Sequence, residues 1–265
     1  MSMSPSYQKF SPLSWDITCL RDNPAMRSGE LALSPKALRR KYPMRVMRYW
    51  FIYHFLRIEH ALRSQDLQIC EVGIDQGQML QFVRSINTLP TLSPVGIAAW
   101  TGVDCHIKQA ALAPFGYSHL IETDIEKSDA WLSPDYDVIV LLHVLEHLYD
   151  PEAAVARIAA RARPGAVLAG GFPSLPRWLA VGRERKIRPN PNANGHVSVF
   201  SPARVRAMAA QNGLRLDFLN GAFFLRASSL LLEDFAWWLK FNVAFGACCP
   251  DWPGETYWVM RKPEH

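Results

Sequence analysis

The sequence predicts an α/β fold: a doubly wound sheet of largely parallel strands with helices on both faces, preceded by a helical cap. Three observations carry that reading. Short apolar runs alternate with stretches whose apolar residues recur every three or four positions, the pattern of strands feeding helices. The first run, LQICEVG, ends in glycine and leads at once into a helical pattern from Gln76 through Ile86. A chain of 265 residues fills one large domain with an appendage.

Residues 1–33 are rich in Ser and Pro, show no sustained period and are expected to drape over the surface or to be only partly ordered. Next, Met47, Trp50, Phe51, His54, Phe55, Ile58 and Leu62 recur at helical spacing with Arg48, Arg57 and Arg63 between them. This predicts a helix beginning near Pro43, so that 1–64 forms an amino-terminal extension and helical cap on a domain of residues 65–265. After the first strand, further strands are predicted at 95–103, 119–122, 137–142 and 166–171. A helix over 151–162 is opened by Pro151 and closed by a Pro-Gly pair. Ser201 and Pro202 mark the start of another, which an Asn-Gly pair ends before the strand LRLDFLN, and TYWVMR closes the sheet. Residues 173–200 read as a connection. Residues 221–255 read as an aromatic helical insertion, with Trp237, Trp238, Phe241 and Phe245 in its segment 228–245, serving as a lid, packing helix or interface.

Composition narrows the function. Hydrophobic residues make up 49% and charged residues 20%, which suits a globule rather than a disordered tail. No apolar run reaches the 18 or so residues of a membrane span, and the amino terminus has no basic-then-apolar leader, so a cytoplasmic protein is expected. Five cysteines, with no C-x-x-C pair, are expected to be reduced thiols rather than a disulfide framework or zinc ribbon. The formal charge of +5 is too small to indicate nucleic-acid binding, and none is expected.

In open α/β sheets ligands bind outside the carboxyl ends of the strands. Three acids sit there: Glu71 ends the first strand, Asp104 the second, and Asp124 follows the third, while Gly73 and Gly77 frame the first loop. A dinucleotide pyrophosphate would need G-x-G-x-x-G, but the loop is EVGIDQG, with Asp75 in the middle position, and a carboxylate there repels phosphate. A cationic ligand fits better. S-adenosylmethionine carries an ammonium and a sulfonium; Asp104 can accept from both ribose hydroxyls and Asp124 from the adenine amino group.

These residues resemble the class I S-adenosylmethionine-dependent methyltransferases, specifically the group with LEH after the fourth strand. The matching elements are EVGIDQG, GVD, TDIE, the run from Tyr136 to Leu168 containing LLHVLEH, and HVSVFSP; together they cover roughly residues 65–220. The resemblance implies a Rossmann-like sheet of seven strands with the last antiparallel. It also implies S-adenosyl-L-methionine as cofactor, contacted by Glu71, Gly73, Asp75, Gly77, Gln78, Asp104, Asp124, Ile125, Leu142 and His143. Asp75 departs from the family's frequent middle glycine.

An alcohol acceptor would need a proton sink, for which His143 and His196 are the candidate catalytic groups. Some relatives bind a divalent metal on E-x-x-E-H, and His143, Glu146 and His147 occupy the corresponding positions, with His196 as a candidate fourth ligand. Hydrogen bonding that organises the loop is the preferred reading, and no metal is assigned. Arg177, Arg183 and Arg185, with Lys186 and Arg188, cluster where relatives build the acceptor pocket, so an anionic acceptor is one reading, beside the commoner one of a solvated basic face. The leading function is methyl transfer to oxygen of a small-molecule or glycan-like acceptor. The alternatives are a binding module that keeps the cofactor fold without turnover, and a peripheral membrane protein anchored through Arg39, Arg40, Lys41 and the aromatic segment.

Overall fold

Within each strand the side chains alternate, and that alternation sorts the core into two layers. Val138 and Val140 face one layer and Ile139 and Leu141 the other; Val167 and Ala169 divide from Leu168 and Phe172 in the same way. The computed structural model describes residues 7–28, 31, 35–191, 195–225 and 230–264. Its strands are β1 (Leu67–Val72), β2 (Ile97–Asp104), β3 (His119–Glu122), β4 (Val138–Leu142), β5 (Val167–Ser174), β6 (Arg215–Gly221) and β7 (Gly254–Arg261). They form one sheet in the order β3-β2-β1-β4-β5-β7-β6, in which β7 runs antiparallel to both neighbours and the other pairings are parallel. Strand order reverses between β1 and β4, which opens the crevice where such sheets bind ligands.

The longer helices are α1 (Met47–Arg63), α2 (Gln78–Asn87), α3 (Pro151–Arg161), α4 (Arg177–Ile187), α5 (Pro202–Gln211) and α6 (Ala236–Cys248). Helices α1, α2 and α6 cover one face of the sheet, and α3 and α5 the other. Asp150 caps α3 by accepting from the Ala153 amide (3.0 Å), and Ser201 caps α5 by accepting from the Arg204 amide (3.3 Å).

Two expectations change. The amino-terminal stretch does not drape over the surface: Cys19 and Leu20 are fully buried and Trp15 stacks on His54 at 4.8 Å. Trp50 donates its indole N–H to the Asp16 carbonyl (2.7 Å), and Ser85 accepts from the Ala25 amide (2.8 Å). A few anchors at irregular spacing bury this segment, so no period betrays it. The parts of the expectation on residues 1–6, 29, 30 and 32–33 lie outside the described residues. The connection over 173–200 contains a helix, α4, in which Ala180 alone is buried; without an apolar stripe its sequence carries no 3.6-residue signal. Of the aromatic segment, 228–229 lie outside the described residues, and the remainder forms α6 after a short helical turn, Leu231–Asp234.

Candidate active site

The glycine loop after β1 is shaped by three consecutive left-handed turns of chain, at Gly73 (φ 74°), Asp75 (φ 44°) and Gly77 (φ 70°). Aspartate is among the few side chains that tolerate this region, so Asp75 keeps the conformation that glycine usually supplies. Gly73 has a second reason to be glycine: a Cβ there would lie 2.5 Å from Val144 Cγ2, so only bare backbone lets the loops after β1 and β4 touch.

Asp104 ties the loop to β2. One carboxylate oxygen accepts from the Asp75 amide (3.0 Å) and the other from the His106 amide (3.2 Å). A carboxylate accepts about four hydrogen bonds, so Asp104 keeps acceptor capacity beyond these two amides, the kind that donating hydroxyls require. On the neighbouring strand end Asp124 accepts from the Glu126 amide (2.9 Å) and pairs with Lys127 (2.7 Å), and that pairing holds its carboxyl below the ordinary value. Ile125 is buried beside it.

Glu71 sits beneath the loop, 5% exposed. It accepts from the Trp100 indole (2.9 Å) and the Tyr117 hydroxyl (3.3 Å), and burial raises its pKa to about 8. Gln78, at the start of α2, accepts from the Tyr49 hydroxyl (2.5 Å). Glu71 and Gln78 thus bond to side chains beside the loop, on β2, at Tyr117 and on α1, whereas Asp104 bonds to the loop's own backbone.

On the other side of the crevice, Leu142 ends β4 half-buried and His143 follows with φ 57°. A left-handed histidine is uncommon, and such backbone persists where its surroundings over-determine it. Here the His143 amide donates to the Gly171 carbonyl (2.8 Å) and Nδ1 lies 2.9 Å from Glu146 Oε1. Nε2 is buried without a hydrogen-bond partner and lies 3.8 Å from Glu255 Oε2. Burial works against the charged imidazolium, but the two carboxylates outweigh it and raise the His143 pKa above its ordinary value. Arg48, on α1, is 3.6 Å from Glu255 and joins the two buried acids, Glu146 and Glu255, and the half-buried His143 in one cluster. Neither Glu255 nor Arg48 emerged from the sequence reading. Glu255 was visible as an acid heading an otherwise apolar strand.

Glu146 is buried, and its backbone carbonyl accepts from the amides of Val197 (2.9 Å) and Ser198 (3.0 Å), which brings the HVSVF segment against the LEH turn. Glu146, His147 and His196 can each offer one atom within 4.8 Å of the others, and the two imidazoles meet edge to face at 4.9 Å. His143 lies outside this group and bonds to Glu146 instead. A cavity of about 310 Å³ opens here, walled by Glu146, Ser174, Arg183, His196, Ser198 and Gly254. The predicted arginines are divided: Arg183 faces this cavity, whereas Arg177 and Arg185 face another of about 500 Å³ between α4 and α5.

Comparison with known proteins agrees with this geometry. Residues 37–217 match the family described as a methyltransferase domain. The ubiquinone biosynthesis O-methyltransferase of Paramagnetospirillum magneticum is 29% identical over 206 residues, 71% of this chain and 77% of that protein. Among solved structures, a putative sarcosine dimethylglycine methyltransferase from Galdieria sulphuraria has a TM-score of 0.55 at 11% identity, covering 81% of this chain and 86% of that one. Magnesium protoporphyrin IX methyltransferase from Synechocystis PCC 6803 with bound S-adenosylmethionine has a TM-score of 0.50 at 14% identity, covering 94% and 98%. These last two are likenesses of fold. Among the described residues no helix is long and apolar enough to cross a membrane. The family match spans more than half of the chain, which therefore belongs to the methyltransferase-domain family and is a class I S-adenosylmethionine-dependent methyltransferase.

Proposed function

We infer that the protein transfers a methyl group from S-adenosylmethionine to an oxygen of a small or glycan-like, anionic acceptor held in the cavity beside Glu146, Arg183 and His196. The observation that carries this is the part-buried His143–Glu146 pair, placed between the glycine loop, which touches Val144, and the cavity, which Glu146 lines.

Asp104 would hold the ribose hydroxyls with its remaining acceptor capacity, and Asp124 and Ile125 would border the adenine. The backbone of Gly73, Asp75 and Gly77 would run along the methionine part, with Leu142 and His143 opposite, and Glu71 and Gln78 bonded to side chains beside the loop. When bound, the cofactor supplies an electrophilic methyl carbon on a sulfonium, open to in-line displacement.

The acceptor's oxygen must lose a proton as it is methylated. With Nδ1–H donated to Glu146, His143 presents Nε2 as the acceptor of that proton, and Glu255 stabilises the imidazolium. Arg183 supplies the charge for an acidic acceptor group, and His196 supplies a hydrogen-bonding wall. The name of the Paramagnetospirillum relative, an O-methyltransferase, supports oxygen as the methylated atom.

Calorimetric titration with S-adenosylhomocysteine tests the cofactor half. Asp104→Ala is expected to weaken affinity by about tenfold or more, because two ribose hydroxyls lose a charged acceptor. Unchanged affinity would place the nucleoside elsewhere.

A further inference from the structure

We propose that the outer face of α6 and the chain on either side of it dock this protein onto an anionic lipid bilayer. Helix α6, AWWLKFNVAFGAC, carries one charge, Lys240. Helices that are apolar all round are normally buried on every side. Here Trp238, Leu239 and Val243 reach the core, while Trp237 (56% exposed) and Phe241, one turn apart, lie on the outer face with the exposed Lys240.

The exposed rings Phe235, Trp237 and Phe241 are linked through the buried ring of Trp238. Phe235 adjoins Trp237 at 6.4 Å, Trp237 adjoins Trp238 at 5.8 Å, and Trp238 stacks on Phe241 at 5.7 Å. Phe241 meets Phe224 at 5.6 Å, which in turn stacks on Trp252 at 6.1 Å. Leu231, 73% exposed, lies four residues before Phe235. An exposed aromatic band of this kind marks an interaction site.

Charge selects the occupant. Segment 36–45 is fastened beside the band: the amides of Tyr42 (2.8 Å) and Met44 (3.0 Å) donate to the backbone carbonyl and the side chain of Glu233, and Arg40 pairs with Asp234 (2.6 Å). This segment exposes Lys36, Arg39, Lys41 and Arg45, none ion-paired to a described residue. Of the nearby acids, Glu233 is buried, Asp234 is neutralised by Arg40, and Asp251 beside Trp252 is exposed. Aromatic rings rimmed by free lysine and arginine fit an interface between acyl chains and anionic headgroups. Thirteen residues make a helix about 20 Å long, short of the roughly 30 Å hydrocarbon core, so α6 lies along the surface.

The test is sedimentation of the full chain with vesicles of phosphatidylcholine alone and of an equimolar mixture with phosphatidylglycerol. Binding is expected to the mixed vesicles and to weaken with salt. Trp237→Ser combined with Phe241→Ser, and separately Arg39→Glu with Lys41→Glu, should each weaken it by about tenfold or more. All four side chains are exposed, so thermal unfolding should be unchanged. Trp237→Phe should still bind but lose part of the tryptophan quenching by acyl-brominated lipid. No preference for mixed vesicles would overturn the proposal, as would binding that survives loss of the aromatic pair. A dimer in free solution that the same pair of substitutions dissolves would assign the face to a second copy. None of these readouts needs methyl transfer, so their failure leaves the catalytic reading untouched.

Discussion

His143, half-buried, and the buried Glu146 form a pair, Nδ1 to Oε1 2.9 Å, because the left-handed turn at His143 swings the chain out of β4 and brings the side chain three residues later back to the ring. The bond leaves Nε2 as the free nitrogen. If this pair moves the acceptor's proton, Glu146→Gln and His143→Ala should each lower kcat by about 10²-fold or more while affinity for S-adenosylhomocysteine is kept. Labelled methyl transfer and calorimetry on the same preparations separate the two effects. A parallel loss of affinity would mean that the pair serves to hold the cofactor rather than to move the proton.

Glu146 also adjoins His147 and His196, so metal dependence needs its own test. One carboxylate oxygen is already engaged by His143, and a cation on the other would oppose the imidazolium that His143 forms during transfer. Activity and melting temperature are therefore expected to be unchanged after dialysis against EDTA. Activity lost to the chelator and restored by Zn²⁺ would reverse this, since two imidazoles and a carboxylate are a suitable donor set for that ion.

Much of this was legible in the sequence. The strands announce themselves because each is a short apolar run with a turn signal behind it, and the family motifs place Asp104, Asp124 and His143 at strand ends, where the structure has them. What stayed hidden depends on direction rather than on residue type. Glu71 reads as a ligand by position, yet its side chain shares a face with Trp100 and points under the loop. Arg183 and Arg185 read as one cluster, yet a helix turns them toward different cavities. Glu255 meets His143 only because β7 inserts antiparallel beside β5, a long-range pairing that no local pattern encodes.

That division of arginines has a measurable consequence for an anionic acceptor. Arg183→Ala should raise KM by about tenfold, the loss of one charge-assisted hydrogen bond, with kcat little changed. Arg177→Ala and Arg185→Ala, facing the cavity between α4 and α5, should leave KM near the parent value. Equal effects from all three would mean that the acceptor spans both cavities.

Glu71 makes stability depend on pH in a direction opposite to that of most carboxylates. Its pKa in the folded protein is about 8, against an ordinary value of 4.5, and burial is the main cause. Between those values the folded chain keeps a proton that the unfolded chain has released. Its contribution is therefore fully present below about pH 4.5 and is lost as pH rises through about 8, at roughly 1.4 kcal/mol per pH unit. Glu71→Gln cannot titrate, and its amide oxygen can still accept from Trp100. Urea denaturation at several pH values across that window should show the parent losing stability relative to Glu71→Gln as pH rises, by a few kcal/mol in all. Parallel curves for the two proteins would mean that the carboxyl is already ionised in the fold. Trp100 and Tyr117 would then be donating to a charge, and the loop would rest on a buried anion rather than a neutral acid.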